Sequence, residues 1–563
     1  MRLTRKLPNA AFAVTLASLV LLTAHGTSVA QKAAAMPTIR LGYLENNPQW
    51  APTLDPAVVA DQNSSYLTQL MYGSLVNLKS VNGRIVLYDQ LAARHTISSN
   101  GRVYTFYLRR NTRFANGDPI TAQDVVYTFR RALAPKTASA VAVYDSTIEG
   151  YAKYSTGKSG FLGVRAMNRW TVRFTLNTRA GYFLDTLVYP VNFIVDRRVL
   201  LGKKTNAGGT YLTTTCKAAA AGASGPFKPL CNSRAANDVT SFYPSGTTPT
   251  LTLVPNPNFY QRAHVKLVIP AIADNQTGLR DFKAGGLDQT WGIPAQDQAP
   301  YRGKRGAYQY PSAFIEYLGL NPNMAPFNNI HCRLAVAYGI NRPALAKQYL
   351  HGAYRPLYSF VPQGFLGYFP GHPGVPYYNP AKAKAELAQC PGGINTTYVY
   401  RNDTTDRNTE AAAIQSMLSA IGIHLTLKGV PRSEWLNYVV NDTPLSKTHT
   451  AMCYGDWFED YPDSQDYFFN LVHGGKGHAE SFTGYNNPTV NRLIDQADAA
   501  SRPGKRNQLY LRANRITLND AALIPYDNGT AFDLVNVKKV HGLVPDLYRG
   551  VVWARNNNWS NVS

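Results

Sequence analysis

Strand-type and helix-type patterns alternate along the whole chain, and this alternation limits the fold class more than any other feature. Residues Trp170 to Asn177 alternate apolar and polar side chains, as in a half-buried strand. Thr121 and Asp124 form a capping-box pattern before an apolar-periodic segment. The amphipathic segment Thr409 to Ile421 is followed by a strand-type run. With 563 residues, too many for one core, the chain is predicted to be an α/β protein of two or three domains.

The first thirty residues have the organisation of an export signal. Arg2, Arg5 and Lys6 form a basic start, and the apolar stretch Ala10 to Ala24 is short for a membrane span. Small residues at Ser28-Val29-Ala30 suit a signal peptidase. We therefore expect residues 1–30 to be a signal peptide. The protein is expected to be exported, to the periplasm or to the outer face of the cytoplasmic membrane.

The five cysteines have no spacing that argues for a metal site, but one pair has the spacing of a disulfide. Cys216 and Cys231 bracket a short stretch rich in Ala, Gly and Pro, and we predict that they are bonded in an oxidising compartment. The pairing of Cys332, Cys390 and Cys453 stays open. Because Cys216 is the first cysteine in the sequence, we expect no lipid-anchor cysteine after the signal.

The formal charge of +23 indicates attraction to anionic surfaces, and about +20 remains without the three basic residues of the signal. No Lys/Arg run, RNP-like stretch or Cys/His finger spacing accompanies the charge, so we expect anionic lipid or cell wall rather than nucleic acid as the partner. The Gly-x-Ser-x-Gly and His-Glu-x-x-His patterns of hydrolases are absent from the sequence. The sequence therefore predicts a protein that is not an enzyme and that has no cofactor and no metal site.

The segment from Met452 to Ser464 concentrates aromatic and acidic side chains around a proline. Aromatic rings offer contact area and a face that tolerates cations. A fixed carboxylate offers a charge-assisted hydrogen bond to an ammonium group. The segment therefore favours a cationic, partly apolar ligand. The alternative is a surface turn at Tyr461-Pro462-Asp463.

Several blocks, spread over nearly the whole chain after the signal, follow the order and spacing of one known family. They are Leu54-Asp55-Pro56, Leu70 to Val76, Ser99 to Arg109, Phe114 to Val125, Gly225 to Lys228, Val254 to Tyr260 and Arg333 to Tyr338. With these blocks the chain resembles the extracellular solute-binding proteins of ABC importers, in the class that binds oligopeptides, dipeptides and nickel chelates. Ala223 departs from the family's usual Gly-Thr-Gly turn, and the lipid cysteine of the Gram-positive members is missing.

The resemblance implies a two-lobe periplasmic-binding-protein fold, of type II and in the large cluster with an extra domain. Lobe I would comprise residues 36–64, 196–313 and 526–563, its accessory domain residues 65–195, and lobe II residues 314–525. The chain would cross between the lobes near Ala313–Glu316 and Ile524–Tyr526, where a hinge closes the lobes around the solute. The implied partners are the permease subunits, through which a monomeric protein would associate with the membrane.

The resemblance also implies roles for particular residues. In the family pattern an Asp three residues after a cleft Trp anchors the α-ammonium group of the ligand, and Trp457 and Asp460 stand in that relation. Asp463 is the alternative carboxylate. Trp457, Tyr454 and Tyr461 are expected to form an aromatic wall of the cleft, with core packing as the alternative.

Arg401 resembles the arginine with which the family's dipeptide binders hold the ligand carboxylate, and Arg407 is the other candidate. A solvated surface arginine is the alternative for Arg401. The function implied is that of the substrate-binding component of an ABC importer, with a peptide ligand held in an interlobe cleft. The alternatives are a nickel chelate or an oligosaccharide on the same scaffold, or an exported hydrolase.

Overall fold

The computed structural model describes residues 36–44, 53–81, 84–201, 212, 215–231, 250–368, 370–371, 374–439, 450–474, 483–543 and 559–563. The expected signal peptide, residues 1–30, lies outside these residues. So does most of the segment 202–250, whose low content of bulky apolar residues and high content of Thr, Gly, Ala and Ser predict a long loop or insertion. Over the described part of the chain, no helix has the length and apolar character needed to cross a bilayer.

Helices and strands alternate in the structure, as the sequence patterns predicted. The strands β1 to β18 are, in chain order, Thr38–Arg40, Tyr43–Leu44, Val76–Val81, Arg84–Asp89, Ala92–Ile97, Val103–Leu108, Val164–Asn168, Thr171–Thr175, Phe227–Pro229, Thr250–Pro255, Lys266–Ile272, Gln289–Thr290, Ala307–Leu320, Tyr354–Pro356, Asn395–Arg401, His424–Val430, Met452–Trp457 and Leu523–Val535. The longer helices are Gln62–Met71, Ala122–Ala132, Cys216–Gly222, Asn275–Lys283, Ile330–Gly339, Pro380–Leu387, Thr405–Ser419, Arg432–Val439, Pro488–Ala499 and Pro503–Asp520.

An antiparallel sheet of order β5-β6-β8-β7 carries the first core, which draws mainly on residues 57–194. Phe174 is buried and meets Phe106 and Phe129 edge-to-face, at ring-centroid distances of 5.6 and 4.8 Å. The backbone N–H of Thr121 donates to Asp124 Oδ2 at 2.8 Å, which confirms the capping box before the helix Ala122–Ala132. The helix packs on β7, so the local pattern and the packing agree.

A second sheet, of order β1-β11-β10-β9 with β2 beside β11, carries a separate core. The disulfide between Cys216 and Cys231, with a Cα–Cα distance of 5.8 Å, joins the helix Cys216–Gly222 to the chain after β9, and confirms the predicted pair. Of the two alternatives for residues 202–250, a long loop or an insertion, the loop is wrong for residues 216–222. Their alanines form a helix, because alanine has the highest helix propensity and Ala219 is buried.

The largest sheet has the order β12-β18-β13-β17-β15-β16, with β14 beside β18. Strand β15 runs parallel to β16 and β17, whereas β13 is antiparallel to both β17 and β18. The core on this sheet draws on residues 315–526. The buried disulfide Cys332–Cys390 ties the helix Ile330–Gly339 to the chain just after Pro380–Leu387, and Cys453 is a buried free thiol.

Strands β13 and β18 are the longest in the described chain and pair over most of their length. Their register slips between Pro311 and Ile315 and again just after Glu316. The first slip falls in the predicted crossing Ala313–Glu316, and the predicted return Ile524–Tyr526 lies on β18 beside the second slip. Bulges of this kind can bend a strand and redirect its side chains, and both slips lie near the residues at which the sequence predicted the crossings.

Candidate functional site

The aromatic and acidic segment follows the end of β17 and leads into a short helix, Ser464–Tyr467. Strand β17 pairs with β15 at its start, at Met452 and Cys453, and with β13 along its whole length, so β13 holds the end at Trp457 in place. Asp463 is the N-cap residue of the short helix, and its Oδ1 accepts a hydrogen bond from the Gln465 N–H at 2.8 Å. The segment is therefore fixed at both of its ends.

Asp466 organises the two residues for which the sequence predicted the main contacts to a ligand. Its Oδ2 accepts from the indole N–H of Trp457 at 2.8 Å and from the backbone N–H of Asp460 at 2.9 Å. Asn470 donates to the other oxygen of Asp466 at 2.9 Å. The sequence analysis did not identify Asp466, although its position three residues after an N-cap acid was a visible signal.

Asp460 lies where the segment meets residues from far earlier in the chain. Its side chain is buried, and the hydroxyl of Tyr144 donates to its Oδ2. Burial raises the pKa of the neighbouring Glu459 well above its usual value, which favours the neutral form of that carboxyl. The site thus places Asp460 at a junction between two regions of the fold, beside an acid that burial tends to neutralise.

Tyr461 packs into the first core rather than into the core of the sheet to which β17 belongs. Its ring meets Tyr144 at 5.4 Å edge-to-face and stacks at 6.4 Å from Tyr182. The ring of Tyr454 instead meets Trp435 at 5.9 Å. Both tyrosines are 1% exposed. The predicted aromatic wall is therefore divided, with Tyr461 on the side of Tyr144 and Tyr454 inside the sheet layer.

Asp463 already has a cationic partner. Arg506 donates to both of its oxygens, at 2.7 and 2.8 Å, and both side chains are more than nine-tenths buried. A bidentate pair of this kind satisfies both carboxylate oxygens. Asp463 is therefore held within the structure by Arg506, whereas the side chain of Asp460 contacts the hydroxyl of Tyr144.

Arg401 and Arg407 lie side by side at the end of β15 and the start of the following helix, and two carboxylates hold them. Arg401 donates to Asp456 at 2.6 Å and to Asp403 at 2.5 Å. Arg407 donates to Asp403 at 2.9 Å and lies 3.4 Å from Asp456. Although burial opposes ionisation, the two guanidiniums lower the pKa of Asp403 below its usual value. Arg401 is only 4% exposed, which is not the solvated surface position considered as its alternative.

Tyr454 connects this ion-pair network to the next strand. Its hydroxyl donates to Glu316 on β13 and accepts from Arg407 Nε at 3.0 Å. The hydroxyl also lies 3.0 Å from Asp456 Oδ2. Tyr454 is therefore part of a buried polar network beneath the segment, a role that the aromatic composition alone did not indicate.

The comparisons with known proteins identify the family. The sequence profile of the bacterial extracellular solute-binding proteins, family 5, matches residues 86–479. The chain therefore belongs to this family, as the sequence blocks indicated, and is a solute-binding component of an ABC importer with the two-lobe α/β fold.

Individual relatives cover most of the chain at modest identity. The chain is 25% identical to the oligopeptide-binding protein OppA of Bacillus subtilis, over 78% of each chain. It is 26% identical to the probable D,D-dipeptide-binding periplasmic protein DdpA of Escherichia coli, over 87% of this chain and 89% of the relative. The structure of Listeria monocytogenes OppA bound to peptide is similar, with a TM-score of 0.72, 20% identity, and coverage of 94% of this chain and 99% of that one.

Proposed function

We propose that this protein binds short peptides in a cleft between two lobes and presents them to the permease of an ABC importer. The observation that carries the proposal is the position of Asp460, a buried carboxylate at the contact between the β17 segment and Tyr144. Its backbone is held by Asp466, which also holds Trp457. A carboxylate fixed in this way, beside an aromatic ring, suits the α-ammonium group of a peptide.

The lobes that enclose this cleft are proposed to be those implied by the family resemblance. Lobe I comprises residues 36–64, 196–313 and 526–563, the accessory domain residues 65–195, and lobe II residues 314–525. Three separate cores, on different sheets, support this division. Strands β13 and β18 run from one region to the other and carry register slips, which suits a two-strand hinge. Tyr461 belongs to the proposed lobe II but packs into the first core, which lies mainly in the accessory domain. It therefore supports a contact between lobe II and the accessory domain.

Arg401 is proposed to pair with the C-terminal carboxylate of the ligand, with Arg407 as the alternative. Asp403 and Asp456 hold both guanidiniums, so a ligand carboxylate has to displace one of these acids. The buried positive and negative charges stay equal in number during such an exchange only if the displaced carboxylate moves into solvent. Asp403 is the more exposed of the two acids, with a quarter of its side chain accessible, and is the one expected to move.

Further parts of the proposal concern the partners and the location. The protein is proposed to act as a monomer outside the cytoplasmic membrane, without a lipid-anchor cysteine, and to associate with the membrane through the permease. Its excess of basic residues supports this arrangement, because a cationic surface is attracted to anionic lipid or cell wall. No catalytic function is proposed.

Calorimetry with wild type and Asp460→Asn tests the ligand assignment. Peptides with a free N-terminus are expected to bind wild type and to lose about 10- to 100-fold in affinity for the variant, the value of a hydrogen bond to a charged group. Asp281→Asn, at a partly exposed acid on the helix Asn275–Lys283, is the matched control and should bind as wild type does. N-acetylated peptides should bind both proteins equally weakly.

The same measurements can contradict the proposal in two ways. Equal affinity of Asp460→Asn and wild type for free peptides means that another group holds the ammonium. Saturable binding of an oligosaccharide or a nickel chelate, with no response to any peptide of two to five residues, means that the solute belongs to a different class.

A further inference from the structure

Three adjacent strands place acidic residues directly opposite one another. Asp456 on β17 pairs with Glu316 on β13, and Glu316 pairs with Asp527 on β18. Directly opposite residues of paired strands project to the same face of a sheet, and like charges in such positions repel. The second register slip of β13 and β18, just after Glu316, falls at this row. The row therefore needs positive charge from outside the sheet.

Glu410, on the helix Thr405–Ser419, adds a fourth carboxyl from above the sheet. Ligand oxygens of Glu316, Glu410 and Asp527 lie within 4.8 Å of one another, and the three residues are at most 2% exposed. Both oxygens of Glu410, both of Asp527 and one of Glu316 have no hydrogen-bond donor within the described chain. Buried carboxylate oxygens are normally satisfied, so five open oxygens in one place indicate a missing partner.

The charges in the described residues do not balance at this cluster. Among the described residues, one cation forms an ion pair with the cluster. This is Arg407, whose Nε lies 3.6 Å from Glu316 Oε1. Arg407 and Arg401 are also the partners of Asp403 and Asp456, so two guanidiniums are shared by two carboxylates outside the cluster. The three clustered carboxyls are left with little compensation, and burying an uncompensated carboxylate is costly.

We propose that Glu316, Glu410 and Asp527 bind a hard divalent cation, with calcium as the best fit. All of the available ligand atoms are carboxylate oxygens, which hard cations such as Ca²⁺, Mg²⁺ and Mn²⁺ prefer. Two oxygens on opposite sides of a calcium ion are separated by about 5 Å, against about 4 Å for magnesium. The cluster oxygens lie within 4.8 Å of one another, which fits the coordination sphere of calcium, and a cage of several carboxylates suits calcium better than magnesium, which usually keeps several waters.

The proposed cation lies within the largest sheet, where the two long strands have their second register slip. It connects β13, β18 and the helix Thr405–Ser419, and through Glu316 it reaches Tyr454 and the network of Arg407. The ion therefore fixes the strand pair at the second register slip, and stabilises the polar network beneath the segment that carries Asp460. This inference does not depend on the identity of the solute.

The alternative occupant of the cluster is a set of protons. The carboxyls of Glu410 and Asp527 lie close enough to that of Glu316 to share protons with it. A proton-sharing cluster takes up no metal, and its stability does not respond to calcium or to a chelator. The experiment therefore measures metal content and stability together.

Because the cluster is buried, the full-length protein should be unfolded with its disulfides intact in denaturant plus EDTA, and refolded with either calcium chloride or EDTA. Elemental analysis after gel filtration is expected to give about one calcium per chain. The Tm of the calcium sample should rise with the logarithm of free calcium, as for any ligand that binds the native state alone. Equal Tm in calcium and EDTA, with no bound calcium, magnesium or manganese, overturns the proposal.

A second measurement on wild type keeps the test independent of any variant's folding. Terbium can replace calcium, and several buried tyrosines, among them Tyr454 and Tyr526, lie near the cluster and can sensitise its luminescence. Calcium is expected to displace this signal. In Glu410→Gln the metal content and the luminescence should both fall to background, whereas Asp281→Asn should keep them. Metal retained in Glu410→Gln marks an adventitious ion on the surface and refutes the assignment.

Discussion

The buried pair of Asp463 and Arg506 offers a direct way to separate the structural carboxylate from the ligand carboxylate. Replacing Asp463 by Asn keeps the side-chain size and a good N-cap residue, but leaves the guanidinium of Arg506 buried without its counter-charge. Removing one partner of a buried ion pair costs about 3–5 kcal/mol of folding free energy. The expected change is therefore a loss of stability rather than a loss of ligand affinity.

The size of the effect can be expressed as a melting temperature. For a cooperative unit of about 150–250 residues, each kcal/mol shifts Tm by roughly 2–4 °C, so Asp463→Asn is expected to lower Tm by about 6–20 °C. Arg506→Met should cost a similar amount, because it leaves the carboxylate unpaired. The double variant should recover at least half of the loss, since replacing both charges removes the uncompensated one.

Circular dichroism melts of the four proteins give this cycle, and calorimetry below the lowest Tm gives the affinity for a peptide that binds wild type. Affinity within a few-fold of wild type is expected for Asp463→Asn, in contrast to Asp460→Asn. A variant Asp463→Asn that melts like wild type but has lost the peptide would refute this reasoning and make Asp463 the ligand carboxylate.

Three further expectations follow from other parts of the fold. Burial raises the pKa of Asp145 to about 7, so the free energy of unfolding should fall by roughly 4 kcal/mol as the pH rises from about 4 to about 7. Asp145→Asn should remove this contribution to the pH dependence, measured by urea unfolding at several pH values. A pH dependence equal to that of wild type contradicts the expectation. Replacing Cys332 and Cys390 together by Ala should lower stability by roughly 4 kcal/mol, from the loop-closure entropy of a separation of 58 residues; a Tm equal to wild type rules this out. The fluorescence of Trp457 should change on saturation with peptide, and a difference spectrum identical in Trp457→Phe excludes it as a reporter.

The sequence predicted features that depend on residues close together in the chain. The capping box at Thr121 and Asp124, the alternating strand around Val172 and the disulfide Cys216–Cys231 are local patterns, and the structure contains all three. Helix ends were less accurate: the helix predicted at 409–421 spans Thr405–Ser419, because Thr404 rather than a later residue supplies the N-cap. Local propensity therefore located this helix but not its ends.

Residues that act through long-range pairs were not predictable in the same way. The partners of Arg401 include Asp456, which is 55 positions away and reaches it only because β17 lies beside β15. The carboxylate row of Asp456, Glu316 and Asp527 depends on the register of three strands from distant parts of the chain. No pattern in a single sequence encodes such a register. The sequence therefore contains no metal-binding motif that could have indicated this cluster, and it predicted no metal site.

The distribution of charge in the fold connects the proposed site with the proposed partners. Among the described residues, thirteen of the acidic side chains are buried, against five of the basic ones, although the whole chain has 34 acidic and 57 basic residues. The surface of the described residues is therefore more basic than the net charge suggests, whereas Asp460 and Glu316 are among the buried acids. In the proposed function, the basic exterior attracts the protein to anionic lipid or cell wall, while the buried carboxylate of Asp460 favours a ligand that brings positive charge. We therefore propose that one chain is held at a negative surface and takes up a cationic group, because the exposed basic residues and the buried acidic residues act at different depths.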